Sequence, residues 1–484
     1  MKNKINIHNK KYFYGLSVIF LLYSSIFLYH STVVFPVLSG RTPINPILII
    51  GVVLAVLLGT IYEVTKYIAS TNDMNIGAKQ LFYIFSIVNI IFFFILAFLS
   101  RGHSFTSIFI ADKNDIYMDF FNSIRDSNHP YDRKVIYPPL INVFYMIVGR
   151  FFDFKAFSAF EIRDSRLGIM MQMLYHGILF VALYSRLVSM RENLCNNIKE
   201  NKALYIIILF SLPMLFTIER GNSVFLCLLS LMYFVQYYKS HDKSKRYKSY
   251  IALGIAGSIK IMPFIFGALL LRTISKKEII HAGLISLSIF MVPFIFTHGG
   301  PIQMLNNIMF TTNLFQSGFM RDGIFTYIGY GAFVNISNIY QFIDRVFDIQ
   351  INSIGAVINK VLLVITLAIC CFSNKISEFY KVTLLSLILV LFAGISAIYN
   401  LIYLFIPLIL LLNEYDSGKD KYINYPLLFT LFGILLMPIF NPPLDILNMF
   451  ANDVHPLTIS TIVESLTAIC LFFYILIASI NKLR

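Results

Sequence analysis

Tryptophan is absent from this chain, cysteine occurs only five times, and charged residues make up 13% of its 484 positions. Each scarcity excludes something. Soluble globular domains carry about a quarter charged residues. So little charge, together with 57% hydrophobic residues and a mean hydropathy of +0.73, excludes a water-soluble fold. Without tryptophan, the aromatic belt of a membrane protein must be built from the 29 tyrosines. The cysteines form no CxxC pair and no Cys/His cluster: Cys227, Cys370, Cys371 and Cys470 lie in apolar runs, and Cys195 lies in a basic loop. Neither a disulfide framework nor a zinc site is indicated. Internal repeats, which would suggest a secondary transporter, are not evident.

What the chain does have is apolar sequence. Crossing a bilayer takes about 20 apolar residues in a helix. Candidate runs cover residues 12–33, 44–67, 81–100, 167–188, 203–218, 223–238, 279–297, 355–372, 382–396, 401–412, 425–440 and 457–480. Residues 250–271 differ, because Lys260 and Pro263 interrupt the run and basic residues (Lys248, then Arg272, Lys276 and Lys277) flank both ends. That pattern predicts two short helices meeting at Lys260, or a re-entrant pair, a geometry tolerated at membrane depth only where protein or a cavity surrounds it. Counting the pair as two crossings gives about fourteen. The expected fold is an all-α integral membrane protein, one polytopic domain over residues 1–484, with about 12–14 spans and both termini cytoplasmic. Lys2, Lys4, Lys10 and Lys11 precede the first run and no small-residue cleavage site follows, so that run reads as an uncleaved span. The formal charge of +14 comes mostly from cations between apolar runs. The positive-inside rule accounts for them, and nucleic acid is not an expected partner.

Two long loops are expected outside, at residues 101–166 and 298–353. The first holds Asp112, Asp115, Asp119, Asp126 and Asp132 with Arg125, Arg133 and Lys134 between residues 111 and 140. The nine cations from Arg101 to Arg166 run against the positive-inside rule, and a phosphate-bearing ligand would account for them. Residues 115–124 read as a short amphipathic helix, on which Asp115 and Asp119 share a face. Close carboxylates can make a base near neutrality or hold a divalent cation through oxygen; a solvated polar face is the alternative. Residues 140–152 are apolar but too short to span, and are expected at the interface. Lys260, an ionisable residue within an apolar run, is a functional candidate, with snorkelling to the surface as its alternative. His176 and Glu464 read as structural groups satisfied inside the bundle. Arg321-Asp322 and Asp344-Arg345 read as local ion pairs.

Several short motifs occur in a fixed order. Asp119-Phe120, Pro130-Tyr131 and Tyr137-Pro138-Pro139-Leu140 come first. Glu219-Arg220-Gly221-Asn222 follows, then Ser258-Ile259-Lys260-Ile261-Met262-Pro263 with Arg272, then the segment 396–407. This order resembles glycosyltransferase family 87, a GT-C superfamily family that uses polyprenol-phosphate sugars, over roughly residues 112–413. The departures are Asn222 where the family often has Gln, and Tyr399 and Asn400 where it often carries a His before its Tyr. His455, expected outside, is a candidate replacement. The first 80 residues, with two spans, are additional to the pattern.

The resemblance implies a GT-C-type multi-span helical bundle whose long outer loops carry short interfacial helices. It implies transfer of a hexose, mannose foremost, from a polyprenyl-phosphate donor to a lipid or glycan acceptor. Transfer would be inverting and would take place on the outer face of the cytoplasmic membrane. Asp119 would be the general base, with Asp115 as second candidate. Lys260, Arg220 and Arg133 would bind the donor phosphate. Tyr131, Tyr137, Asn222, Tyr399 and Asn400 would contact substrate, Tyr131 by stacking on a sugar, while Tyr137 and its prolines would also shape the loop. No metal ligands are assigned, and a divalent cation is the one cofactor left open. The rival readings are a flippase or transporter of a lipid-linked sugar, a surface-polysaccharide polymerase or ligase, and a non-catalytic scaffold.

Overall fold

The computed structural model describes residues 77–99, 116–132, 135–191, 198–271, 274–314, 336, 351–373, 375–393, 396–418, 423–437 and 459–483. The runs expected at 12–33 and 44–67, Asp115, Arg133, His455 and the pairs Arg321-Asp322 and Asp344-Arg345 lie outside these residues. The described elements are helical throughout.

Five of these helical stretches are long and apolar enough to cross a membrane: Ala78–Ile95, Arg166–Arg191, Lys276–Phe296, Ile398–Ser417 and Glu464–Leu483. The expected span at 203–218 is a helix pair, Ile198–Leu209 and Leu212–Arg220, bent by 55°. Pro213 near the start of the second helix lacks the N–H that a continuous ladder would need, which explains the break. Other runs expected to cross are shorter helices, including Val224–Tyr237 and Tyr425–Leu436.

In chain order the helices are α1 (Ala78–Leu99), α2 (Met118–Asp126), α3 (Pro139–Gly149), α4 (Ala159–Asp164), α5 (Arg166–Arg191), α6 (Ile198–Leu209), α7 (Leu212–Arg220), α8 (Val224–Tyr237), α9 (Lys243–Ile259), α10 (Lys276–Met291), α11 (Pro301–Leu314), α12 (Asn352–Phe372), α13 (Glu378–Leu391), α14 (Phe405–Ser417), α15 (Tyr425–Leu436) and α16 (Ile459–Leu483). The core is centred on α13, which is buried on every side from Val382 to Leu391 and packs against α14, α16, α12 and the 3-10 segment Ile398–Leu404. A helix that is apolar all round is stable only in such an enclosed place.

The run interrupted at Lys260 resolves as expected into two helices. α9 stops at Lys260, whose backbone is extended, and a 3-10 segment, Met262–Leu270, begins with Pro263 in its first turn. The second long loop contains α11.

One polar cluster joins the ends of α1, α5, α6 and α14. Arg191, fully buried, donates to Glu200 (2.6 Å), Asp416 (2.9 Å) and Asn413 (3.0 Å). Lys79 donates to the same two carboxylates, at 3.1 Å to Glu200 and 2.6 Å to Asp416. Two cations and two anions thus share one enclosed site, as burial of charge requires.

Candidate active site

The described part of the first long loop contains α2, α3 and α4, and α2 carries Asp119. α2 starts at Met118, three residues later than the sequence pattern suggests. Its start is set by Tyr117, the only non-glycine residue with positive φ among the described residues (φ 60). The Tyr117 N–H donates to the Glu219 carbonyl at 2.7 Å, so the beginning of α2 is tied to the end of α7. Met118, Phe120, Phe121 and Ile124 are buried, which leaves Asp119 on the open side.

α7 ends in the Glu219-Arg220-Gly221-Asn222 turn, and this turn grips Asp119. The Arg220 guanidinium donates to Asp119 Oδ1 in a close ion pair, and Asn222 Nδ2 donates to Oδ2 at 2.8 Å. The Asn222 amide is oriented from behind, because its Oδ1 accepts the Val224 N–H at 3.0 Å. A carboxylate has about four lone-pair positions, so two donors fix Asp119 without exhausting it as an acceptor.

Gly221 makes this turn possible. Its φ is +63°, and a Cβ there would lie 2.9 Å from the Phe120 Cβ. Gly221→Ala is expected to destabilise the protein by roughly 1–2 kcal/mol from the left-handed conformation alone. It should also push α2 off the turn and lower transferase activity; thermal unfolding and turnover of the purified variant check both.

The opposite wall is aromatic. Tyr137 precedes α3, and its carbonyl accepts from Asn142 Nδ2 (3.0 Å) and from the Tyr131 hydroxyl (3.3 Å). The Lys260 ammonium lies 5.8 Å from the Tyr137 ring centroid and 4.7 Å from that of Tyr399. Among the described residues no carboxylate forms an ion pair with it, so its charge is met by two ring faces. Burial, reinforced by the Asp119 charge, pushes the Tyr137 phenol well above its ordinary value. Tyr137 therefore stays a neutral hydroxyl, 3.5 Å from Asn222 Nδ2.

The structure brings together Asp119, Arg220, Asn222, Tyr137, Tyr399 and Lys260. It sets two other candidates apart. Tyr131 is 1% exposed, with its ring against Phe294 and its carbonyl accepting from Asn307, so it braces the loop and offers no open face to a sugar. Asn400 is buried and donates to Ser396 at 3.3 Å. Arg220, read from sequence as a phosphate ligand, is committed to Asp119. Tyr117 and Asn142 were not singled out from the sequence. Nothing in residue type announces a left-handed tyrosine, and Asn142 reads as one polar residue in an apolar run.

A model of glycosyltransferase family 87 matches residues 136–393, more than half of the chain. The chain belongs to glycosyltransferase family 87. It is a membrane glycosyltransferase, with a sugar donor and an acceptor as its substrates. No curated protein and no solved structure matches it. The family span includes Tyr137, Arg220, Asn222 and Lys260; it begins downstream of Asp119 and ends upstream of Tyr399. Among the described residues no group of three or more His, Cys, Asp or Glu could hold a metal ion. The arrangement offers a fixed carboxylate for proton transfer and an aromatic-caged cation for an anionic group. Those are the two functions that glycosyl transfer from a phosphate-linked sugar needs.

Proposed function

We propose that this family 87 enzyme moves a hexose, mannose foremost, from a polyprenyl-phosphate donor to a lipid or glycan acceptor. The transfer takes place on the outer face of the cytoplasmic membrane. The observation that carries the reading is the placement of the Lys260 ammonium between Tyr137 and Tyr399, beside a carboxylate clamped by Arg220 and Asn222. Asp119 accepts the proton of the acceptor hydroxyl as its oxygen bonds to the anomeric carbon. The bond from that carbon to the phosphate oxygen breaks on the opposite face, which inverts the configuration. Lys260 faces the charge gathering on the departing phosphate, in a setting where a fixed cation is worth more than in water. Arg220 and Asn222 hold the base, and the Tyr137 and Tyr399 phenols contribute ring faces and hydroxyls to the sugar site.

The test uses purified protein in nanodiscs with radiolabelled polyprenyl-phosphate-mannose and a membrane lipid extract. Wild type should move label to a new lipid and Asp119→Asn should not. Transfer by neither protein with the mannose or the glucose donor would overturn the donor assignment. Lys260→Ala is expected to raise the donor KM roughly 10- to 100-fold, the worth of a charge-assisted contact. The acceptor KM should be nearly unchanged, and an unaltered donor KM would remove Lys260 from the phosphate site.

A further inference from the structure

Between the end of α3 and the start of α5 the chain forms a strap whose outward surface is out of character for a water-facing loop. Phe151 is 62% exposed, Phe157 55% and Phe160 46%. Three cations, Arg150, Lys155 and Arg166, stand exposed among these rings. The nearby acids are already engaged. Asp153 accepts the N–H groups of Lys155 and Ala156, Glu161 closes a capping box with Ser158, and Asp164 is bonded by Arg163. The side chains of Arg150, Lys155 and Arg166 make no hydrogen bond or ion pair among the described residues, so these three cations stand without an anionic partner beside apolar rings, on a strap whose four cations exceed its three carboxylates by one.

This surface leads into the exposed apolar side of α5. Only Ser165 separates α4 from α5, and the exposed residues continue along α5 through Leu167, Met170 and Met173. The junction is tight, because a Cβ on Gly168 would lie 2.0 Å from the Ile162 carbonyl oxygen. The strap's inner side is built into the active-site loop. Ala159 and Ile162 are buried, α4 packs on α2, and Arg163 Nη1 donates to the Ile116 carbonyl at 3.2 Å, just before Tyr117.

We infer that the strap is a lipid-binding surface: Phe151, Phe157 and Phe160 insert among the lipids of the leaflet that α5 enters, and Arg150, Lys155 and Arg166 bind lipid headgroup phosphates. Aromatic rings with flanking cations on a polar–apolar boundary suit that depth. The occupant is the leaflet because the strap leads, through the single residue Ser165, into α5, a helix long and apolar enough to cross a membrane. The consequence is that α2, and with it Asp119, is held at a fixed height above the acyl chains.

The absence of tryptophan supplies the experiment. Phe157→Trp and Phe160→Trp each introduce a single reporter into a chain with no other indole, and Met173→Trp on α5 gives a lipid-facing control. Each variant is reconstituted in nanodiscs of phosphatidylcholine and phosphatidylglycerol, with and without bromine high on the acyl chains. The strap reporters should emit in the blue and lose about the same fraction of intensity to brominated lipid as the control. Red, unquenched emission would overturn the proposal. Blue emission without quenching would also overturn it, by assigning the rings to a second copy or another protein. In the Phe157→Trp background, Arg150→Gln with Lys155→Gln and Arg166→Gln should reduce strap quenching, while the same triple change leaves Met173→Trp quenching intact. Strap quenching that survives the triple change would remove the cations from the surface.

Discussion

Asp119→Asn is expected to reduce turnover by about 10²- to 10⁴-fold, the usual worth of a positioned general base, while the protein folds and inserts normally. Asn keeps the shape of the side chain and an oxygen for the Arg220 guanidinium, so the α2–α7 junction retains a hydrogen bond where it now has an ion pair. It loses the ability to take up a proton. The donor KM should change little, because Lys260 and its tyrosines are untouched. Asp119→Glu is a sharper probe: it restores a base but displaces the carboxylate from the two donors that fix it, and it should recover only part of the lost rate. Initial rates of label transfer in nanodiscs, with thermal unfolding measured on the same preparations, separate these outcomes. If Asp119→Asn turned over at the wild-type rate, the carboxylate would be a structural partner of Arg220 and another group would have to be the base.

The second large effect is on stability. Arg191→Ala is expected to destabilise the protein by about 3–5 kcal/mol, the cost of breaking a buried ion pair from one side. The guanidinium meets Glu200, Asp416 and Asn413 at once, and only Lys79 would remain to balance the two acids. Arg191→Lys should recover little, because one ammonium cannot span three acceptors on two helices as a planar fork does. Arg191→Ala combined with Glu200→Gln should be milder than Arg191→Ala alone, since it removes an orphaned charge. Unfolding in detergent micelles checks the series, and a shift under about 1 kcal/mol for Arg191→Ala would mean that water screens the cluster.

The contrast between these two places explains what the sequence reveals and what it hides. Apolar runs were readable to within a few residues: 81–100 became Ala78–Leu99, and 167–188 became Arg166–Arg191. The interruption at Lys260 was readable because a lysine and a proline in an apolar run have few explanations. Asp119, Arg220, Asn222, Tyr137, Tyr399 and Lys260 were each marked by the family resemblance. That Arg220 holds Asp119 was not legible, because the two lie 101 residues apart and their pairing depends on how α2 docks on α7. The Arg191 cluster was missed for a related reason. Its members lie up to 337 residues apart, and charges at the ends of apolar runs read equally well as solvated topology markers. Helix lengths were less legible: hydropathy does not show where α7, α8 and α13 stop, because burial by neighbours lets apolar helices be short.

The 55° bend between α6 and α7 has a mechanical meaning. Glu200, near the start of α6, belongs to the charge cluster, and Arg220, at the end of α7, holds the base. A straight rod between them would transmit any axial slip at one end directly to the other. An elbow at Phe210-Ser211 does not, because displacement along one arm projects only partly on the other and the joint absorbs the remainder. The enzyme therefore has an anchor and a working end that fail separately: Arg191→Ala molecules that remain folded should transfer sugar at the wild-type rate per molecule, and Asp119→Asn should lower the melting temperature far less than Arg191→Ala does.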